Sequence, residues 1–321
     1  MEFLRRPGSL FLATLVGIAG FSVAGWAQGP PPVQMAIDGV IAANTKLEVI
    51  KSGGDFGGLE GPTPTPEGGL YFTDTRTSKI WKLDKSGNVT LWREKTNGTN
   101  GLYLLKDGRL LAAESTRIVA IMPDGSITPL VTEFEGKPLK AANDLIMDKK
   151  GGIYFTDPGG RATKEPSLVL YRRPSGEVVL IDNQGTFPNG LTLSMDQKTL
   201  YVGDVNAEHV YAYDIQPDGS VKNKRPFAKL QGFTQDVRTP AVWRSGADGM
   251  AIDSKGRLYV TSDLGIQVID KNGKHLGTIP VPTKARNVAF GGPRRQTLFI
   301  TGPAEWYRVQ MLSEGPSGRP K

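Results

Sequence analysis

Residues 143–157 read NDLIMDKKGGIYFTD. A polar pair, Asn143-Asp144, stands before a short apolar run. Lys149-Lys150-Gly151-Gly152 then makes a turn, and Ile153-Tyr154-Phe155-Thr156 reads as a buried strand that ends on Asp157. The same grammar returns as EGPTPTPEGGLYFTD at 60–74, NGLYLLKDGRLLAAE at 100–114 and NGLTLSMDQKTLYVGD at 189–204. It returns again as DGMAIDSKGRLYVTSD at 248–263 and NVAFGGPRRQTLFITG at 287–302. The unit starts are 40, 43, 46, 59 and 39 residues apart.

More strand-like pieces follow each unit. After the first come Lys79 to Leu83 and Val89 to Trp92, with the hairpin turn Asp84-Lys85-Ser86-Gly87 between them. Arg117 to Ile121, Pro123-Asp124-Gly125 and Ile127 to Val131 repeat the scheme. Four short strands per unit of about forty residues predict an all-β, six-bladed β-propeller with four-stranded antiparallel blades. No segment carries a sustained helical period. The last unit has room for only one more strand, Glu305 to Met311. Leu47 to Ile50 can supply the missing outer strand, so the two ends of the chain would close the ring. The 59-residue spacing holds an insertion, 231–244, that runs into Asp248 and is expected to form a loop at a pocket mouth.

Composition sets the outer limits. Gly (40) and Pro (23) are spread between apolar runs, as many turns require. The absence of Cys excludes disulfides, thiolate metal sites and Cys nucleophiles. At the N-terminus, Arg5-Arg6, an uncharged apolar stretch and Gly25-Trp26-Ala27 have the form of a secretory signal peptide cut after Ala27. The expected layout is a signal peptide at 1–27, a linker at 28–44, the propeller at 45–312 and a tail at 313–321. The mature protein is expected in the periplasm or outside the cell, with no stable membrane insertion. The formal net charge is +7 and is spread along the chain. Without a clustered basic stripe, nucleic acid is not an expected partner. The oligomeric state leaves no signature.

In a propeller the first strand of each blade lines the central channel. The residue ahead of it then sits on one rim. Glu60, Asn100, Asn143, Asn189, Asp248 and Asn287 share that phase. Asn-Gly and Asp-Gly also favour tight turns, which would account for Asn100, Asn189 and Asp248. Turn chemistry accounts for neither Glu60 nor the common phase. Carboxylates among amide oxygens make a hard-oxygen site suited to Ca²⁺ or Mg²⁺, and able to take Mn²⁺ or Zn²⁺. A Ser-His-Asp triad would need His209 or His275, and neither opens a blade. The recurring acids Asp74, Glu114, Asp157, Asp204 and Asp263 read as blade architecture.

The ordered set Glu60-Gly61-Pro62, Asn143-Asp144, Phe187-Pro188-Asn189-Gly190-Leu191, Ser194 to Val202, Asp248 to Asp253 and Asn287 to Gly292 resembles the gluconolactonase/regucalcin family. This is the senescence-marker-protein, gluconolactonase and luciferin-regenerating-enzyme group. The resemblance covers roughly residues 45 to 310. It implies a lactone-opening hydrolase with a divalent cation, most often calcium, on the propeller axis. By position the metal ligands would be Glu60, Asn143, Asn189 and Asp248. Asp248, with Asp144 as second choice, would activate water against the carbonyl of a small lactone or ester. Animal members carry Arg two residues before the blade-three Asn, where this chain has Ala141. Asn100, Arg161, Trp243 and Arg244, with Phe187 and Phe56 near the rim, are the candidates to shape the substrate pocket. The competing reading is a non-enzymatic propeller that binds a ligand or a protein and uses its metal only structurally.

Overall fold

Aspartate and glycine build the hairpin turns. Asp107 Oδ1 accepts the Arg109 N–H at 3.1 Å, and the intervening Gly108 has φ +85°, a conformation that a Cβ would strain. Asp84, Asp124, Asp148, Asp253 and Asp270 each accept the N–H two residues on in the same way. Strands rich in Leu, Ile, Val, Tyr and Phe run between these turns.

A computed structural model describes residues 35–52, 56–159 and 166–320, within a unit that runs from Pro32 to Lys321. The expected signal peptide, 1–27, and Arg161 lie outside the described residues. Among these residues there are six four-stranded antiparallel sheets, two two-stranded ones and no helix. The sheets are the blades of a six-bladed propeller, as the repeat predicts. In blade one the order is Leu59–Pro64, Leu70–Asp74, Lys79–Leu83, Val89–Glu94. The second strands of blades two, three and five, Leu110–Glu114, Ile153–Asp157 and Leu258–Ser262, are buried along their whole length. The outer strand of blade one is largely open to solvent.

Both chain ends build blade six. Leu47–Ser52 pairs antiparallel with Glu305–Gln310, Leu47 opposite Val309 and Glu48 opposite Arg308. Trp306 is fully buried on that strand and packs on Phe72 of blade one with centroids 4.2 Å apart. Burying a large side chain of this kind stabilises by about 1.5–3 kcal/mol. Closure by strand pairing and aromatic packing therefore does, without Cys, the work that a disulfide does in small domains.

The remaining apolar clusters also lie between blades. One joins blades two, three and four around Tyr154 and Tyr171, which stack with centroids 4.2 Å apart. Another joins blades five and six and takes in Ile37, Val40 and Ile41 from ahead of the first strand.

The last residues cross the end of the ring opposite the rim that carries the polar set. Glu314 O accepts the Ser254 N–H of blade five at 2.8 Å. Arg319 donates to Leu193 O at 2.6 Å and Ser194 O at 3.3 Å, both in blade four.

Candidate functional site

The six polar rim residues are placed by a stapling scheme that passes from blade to blade. Thr73 Oγ1 of blade one donates to Asn100 O of blade two at 2.8 Å. Thr156 Oγ1 of blade three donates to Asn189 O of blade four at 2.7 Å. Thr261 Oγ1 of blade five reaches Arg286 O of blade six at 3.1 Å. Backbone bonds run the same way: Gly101 N to Asn143 O at 2.7 Å, and Gly190 N to Asp248 O at 3.1 Å.

This close approach explains the glycines after the rim residues. A Cβ on Gly101 would stand 2.7 Å from Asn143 O, one on Gly190 2.3 Å from Asp248 O, and one on Gly249 2.1 Å from Asn287 Oδ1. None of the three has positive φ. Asn-Gly and Asp-Gly at these places are therefore a device for packing blades at the axis, and turn chemistry is not their cause. The acids that end the second strands fix the approach to the rim. Asp157 accepts the N–H groups of Lys140 and Ala141 at 2.9 and 2.8 Å. Asp204 accepts those of Thr186 and Phe187 at 2.8 and 3.0 Å, and Asp74 that of Gly57 at 2.8 Å.

Two of the rim residues and Asp144, next to Asn143, are carboxylates with almost no access to water: Glu60 is 5 % exposed, Asp248 9 % and Asp144 0 %. Burial, and after it the charge of Asp248, pushes the Glu60 carboxyl up to about 8. Asp144 pushes the same way, and the Arg286 guanidinium and Asn287 oppose it. The Asn287 amide makes a long contact with Glu60 Oε2, 3.4 Å. Carboxylates crowded in this way favour a cation among them.

The amide oxygens point to the same conclusion. Asn100 Oδ1 and Asn189 Oδ1 are buried and accept no hydrogen bond. An acceptor left in that state costs about 1–3 kcal/mol, which a cation would recover. Among the described residues no three His, Cys, Asp or Glu side chains could hold a metal by themselves. A cation here has to draw on amide oxygens as well, so the set fits a hard divalent ion.

The other expected site residues are distributed as follows. Asn143 is half-buried on the rim. Trp243 and Arg244 lie on the 231–244 insertion, whose Thr234–Gln235 and Trp243–Arg244 form a short hairpin. Trp243 is 49 % exposed and packs on Phe233 at 5.5 Å. Arg244 uses its guanidinium on Asp236 at 2.7 Å and Asp263 at 2.8 Å, so it pins the hairpin to blade five. Phe56, expected near the rim, lies in the core instead, edge-on to Phe72 and Trp81. His209 and His275 begin strands far out in their blades. A cleft of about 200 Å³ borders blades three and four, but its lysine, Lys224, is already paired with Asp182 at 2.6 Å.

Arg286 is the rim residue that the repeat does not reveal. It precedes the polar opener of blade six, and a lone basic residue before a strand has no pattern to mark it. Its close packing against Gly58, whose Cβ would lie 3.1 Å from Nη1, is a tertiary feature.

Known proteins match across this whole architecture. The family description SMP-30/Gluconolactonase/LRE-like region matches residues 59–303. The chain is 28 % identical to a gluconolactonase of Zymomonas mobilis over 310 residues, which cover 87 % of this chain and 85 % of that protein. It is 30 % identical to regucalcin of Xenopus laevis over 271 residues, covering 78 % and 85 %. A solved gluconolactonase structure from Xanthomonas campestris superposes with a TM-score of 0.76 at 26 % identity, covering 88 % of this chain and 95 % of that one.

Proposed function

The chain belongs to the SMP-30/gluconolactonase/LRE-like family, and from that premise we propose that it is an exported lactone hydrolase that works with a divalent cation. The observation that carries the mechanism is the meeting of Glu60, Asp144 and Asp248 at the axis beside the unbonded amide oxygen of Asn189.

A divalent cation held by Glu60, Asn143, Asn189 and Asp248, calcium by preference, would supply Lewis-acid polarisation of the lactone carbonyl. The protein's own part is to hold these oxygens in place and to move a proton. Asp248 is the most exposed of the three carboxylates, so it is the group that water and substrate reach, and it acts as base. Water forms the new bond to the carbonyl carbon while its proton passes to the Asp248 carboxylate. The ring C–O bond then breaks, and the ring oxygen leaves as a hydroxyl after taking that proton. The product is a hydroxy acid. Asp144, fully buried and felt at Glu60 as Asp248 is, is the second candidate for the base. The hairpin bearing Trp243 stands at the mouth.

The test is turnover of a panel of aldonolactones, aliphatic lactones and aryl esters by the mature protein, with and without chelator. Lactone opening that chelator abolishes and a divalent cation restores is expected. Turnover of nothing on the panel with any divalent cation would sink the hydrolase reading. Full activity in Asp248→Asn would sink the mechanism.

Export rests on the charged, apolar and small-residue order of residues 1–27. N-terminal sequencing of protein recovered outside the cytoplasm should begin at Gln28. A chain that keeps Met1 inside the cell would end that part of the proposal.

A further inference from the structure

We propose that the seam between blades one and six carries an anion subsite, formed by Arg286 and Arg76, that selects lactones bearing a carboxylate away from the ring carbonyl. The substrate class rests on the lactone-hydrolase reading; the subsite rests on the following geometry.

Gly57-Gly58 leads into Glu60. A Cβ on Gly57 would stand 2.1 Å from Arg76 Nε, and one on Gly58 3.1 Å from Arg286 Nη1. Two guanidinium groups therefore lie against neighbouring bare backbone positions, where side chains would have excluded them. Arg286 is half-buried, and its charge is felt at Glu60, which puts it beside the catalytic carboxylates. Among the described residues, neither arginine has an ion-pair partner or a side-chain hydrogen bond.

The other basic groups near the mouth differ. Arg244 is neutralised by Asp236 and Asp263, and Lys284 lies 3.6 Å from Asp263. Among the described residues, Arg286 and Arg76 are thus guanidinium groups near the rim with no ion-pair partner within 4.0 Å. A half-buried guanidinium such as that of Arg286 pays a desolvation cost that a bound anion offsets. The planar guanidinium fork matches a carboxylate in particular, with two parallel N–H···O bonds. A lactone with its carbonyl at the axis and a carboxylate on a distal carbon would place charge toward this seam.

The experiment compares glucarolactone, which carries a carboxylate, with neutral gluconolactone on the metal-loaded full chain. Arg286→Gln should lower kcat/KM for the acidic lactone about tenfold more than for the neutral one, whatever loss the two share through Glu60. Arg286→Lys, which keeps the charge and controls for folding, should fall between. Arg76→Gln should act in the same direction with smaller effect, since that side chain is exposed. An equal loss on both lactones would make Arg286 a counter-ion of Glu60 and overturn the proposal.

A binding arm is independent of turnover. In calorimetry, the dicarboxylate glucarate should bind the wild type more tightly than gluconate, and Arg286→Gln should erase the difference. If no lactone is opened, the hydrolase reading fails while this arm still decides the subsite. Identical glucarate affinities in wild type and Arg286→Gln would remove it.

Discussion

Asn287 Nδ2 lies 3.4 Å from Glu60 Oε2 and links the last blade to the first across the ring seam. Asn287 Oδ1 meanwhile accepts the Val288 N–H at 2.9 Å, so its backbone holds the amide for Glu60. Blade six thus positions a carboxylate of blade one, and the candidate site is complete only when the ring is closed. A cation at Glu60 should stabilise the closed ring by linkage, by about 2.7 kcal/mol at a hundredfold excess over its dissociation constant. The expected result is a Tm that rises with added calcium in the wild type and stays flat in Glu60→Gln, with activity lost in the variant. A calcium-dependent Tm that survives Glu60→Gln would place the ion elsewhere.

The rim glycines offer a sharper test of packing. Gly190→Ala would drive a Cβ to 2.3 Å from Asp248 O, a clash with backbone that no rotamer change can relieve. Blades four and five would have to separate, at a cost of about 2 kcal/mol or more. Gly87→Ala meets nothing within 4 Å and has only its φ of +92° to strain it, about 1 kcal/mol. Urea unfolding of both variants should show this order, with activity lost only in Gly190→Ala. The reverse order would mean that Gly190 is there for chain conformation after all.

That contrast shows where the sequence is legible and where it is not. Asn143 to Asp157 discloses the fold because an inner strand, an Asp-Gly turn and a buried second strand each leave a local pattern, and the pattern repeats. The rim residues share a phase, so Glu60, Asn189 and Asp248 could be named without coordinates. Gly101 and Gly190 were ambiguous because the same two letters serve a turn and a close approach, and only the neighbouring blade tells them apart. Phe56 is ambiguous for a related reason: an aromatic side chain beside a rim loop can serve the mouth or pack between blades, and here Phe72 and Trp81 surround it. Arg286 and the tail have no periodicity at all.

The 231–244 hairpin should be pinned to blade five by charge. The Arg244 side chain, hydrogen-bonded to Asp236, draws the Asp236 carboxyl down to about 2. For an acid whose folded value is depressed, the stabilisation is present above the ordinary value of about 3.9 and is lost as pH falls through the folded one. The hairpin should therefore stay closed at about pH 4 and loosen only toward about pH 2, read as hydrogen exchange at the Asp236 amide. At neutral pH, Asp236→Asn should loosen the already exposed tip, so that trypsin cleaves after Arg238 roughly fivefold faster than in the wild type. Unchanged cleavage would show that Phe233 and Trp243, and not the ion pairs, hold the hairpin down.

The tail tests whether the far end of the ring needs its own closure. Arg319 donates to Leu193 O and Ser194 O of blade four, and Glu314 O takes the Ser254 N–H of blade five. One short segment thus ties blades together at the end away from Glu60 and Asp248. Hydrogen bonds from a charged donor contribute about 1.5–3 kcal/mol, so Arg319→Ala should lower the urea midpoint by that order. Because the described bonds of the tail lie at the end away from the polar rim, KM of the folded variant should not change. Deleting residues 313–321 removes the backbone ties as well and should destabilise further, again without altering substrate preference. If Arg319→Ala changes the relative rates on acidic and neutral lactones while leaving stability intact, then the tail acts on the site through the channel, and the two ends of the propeller are coupled.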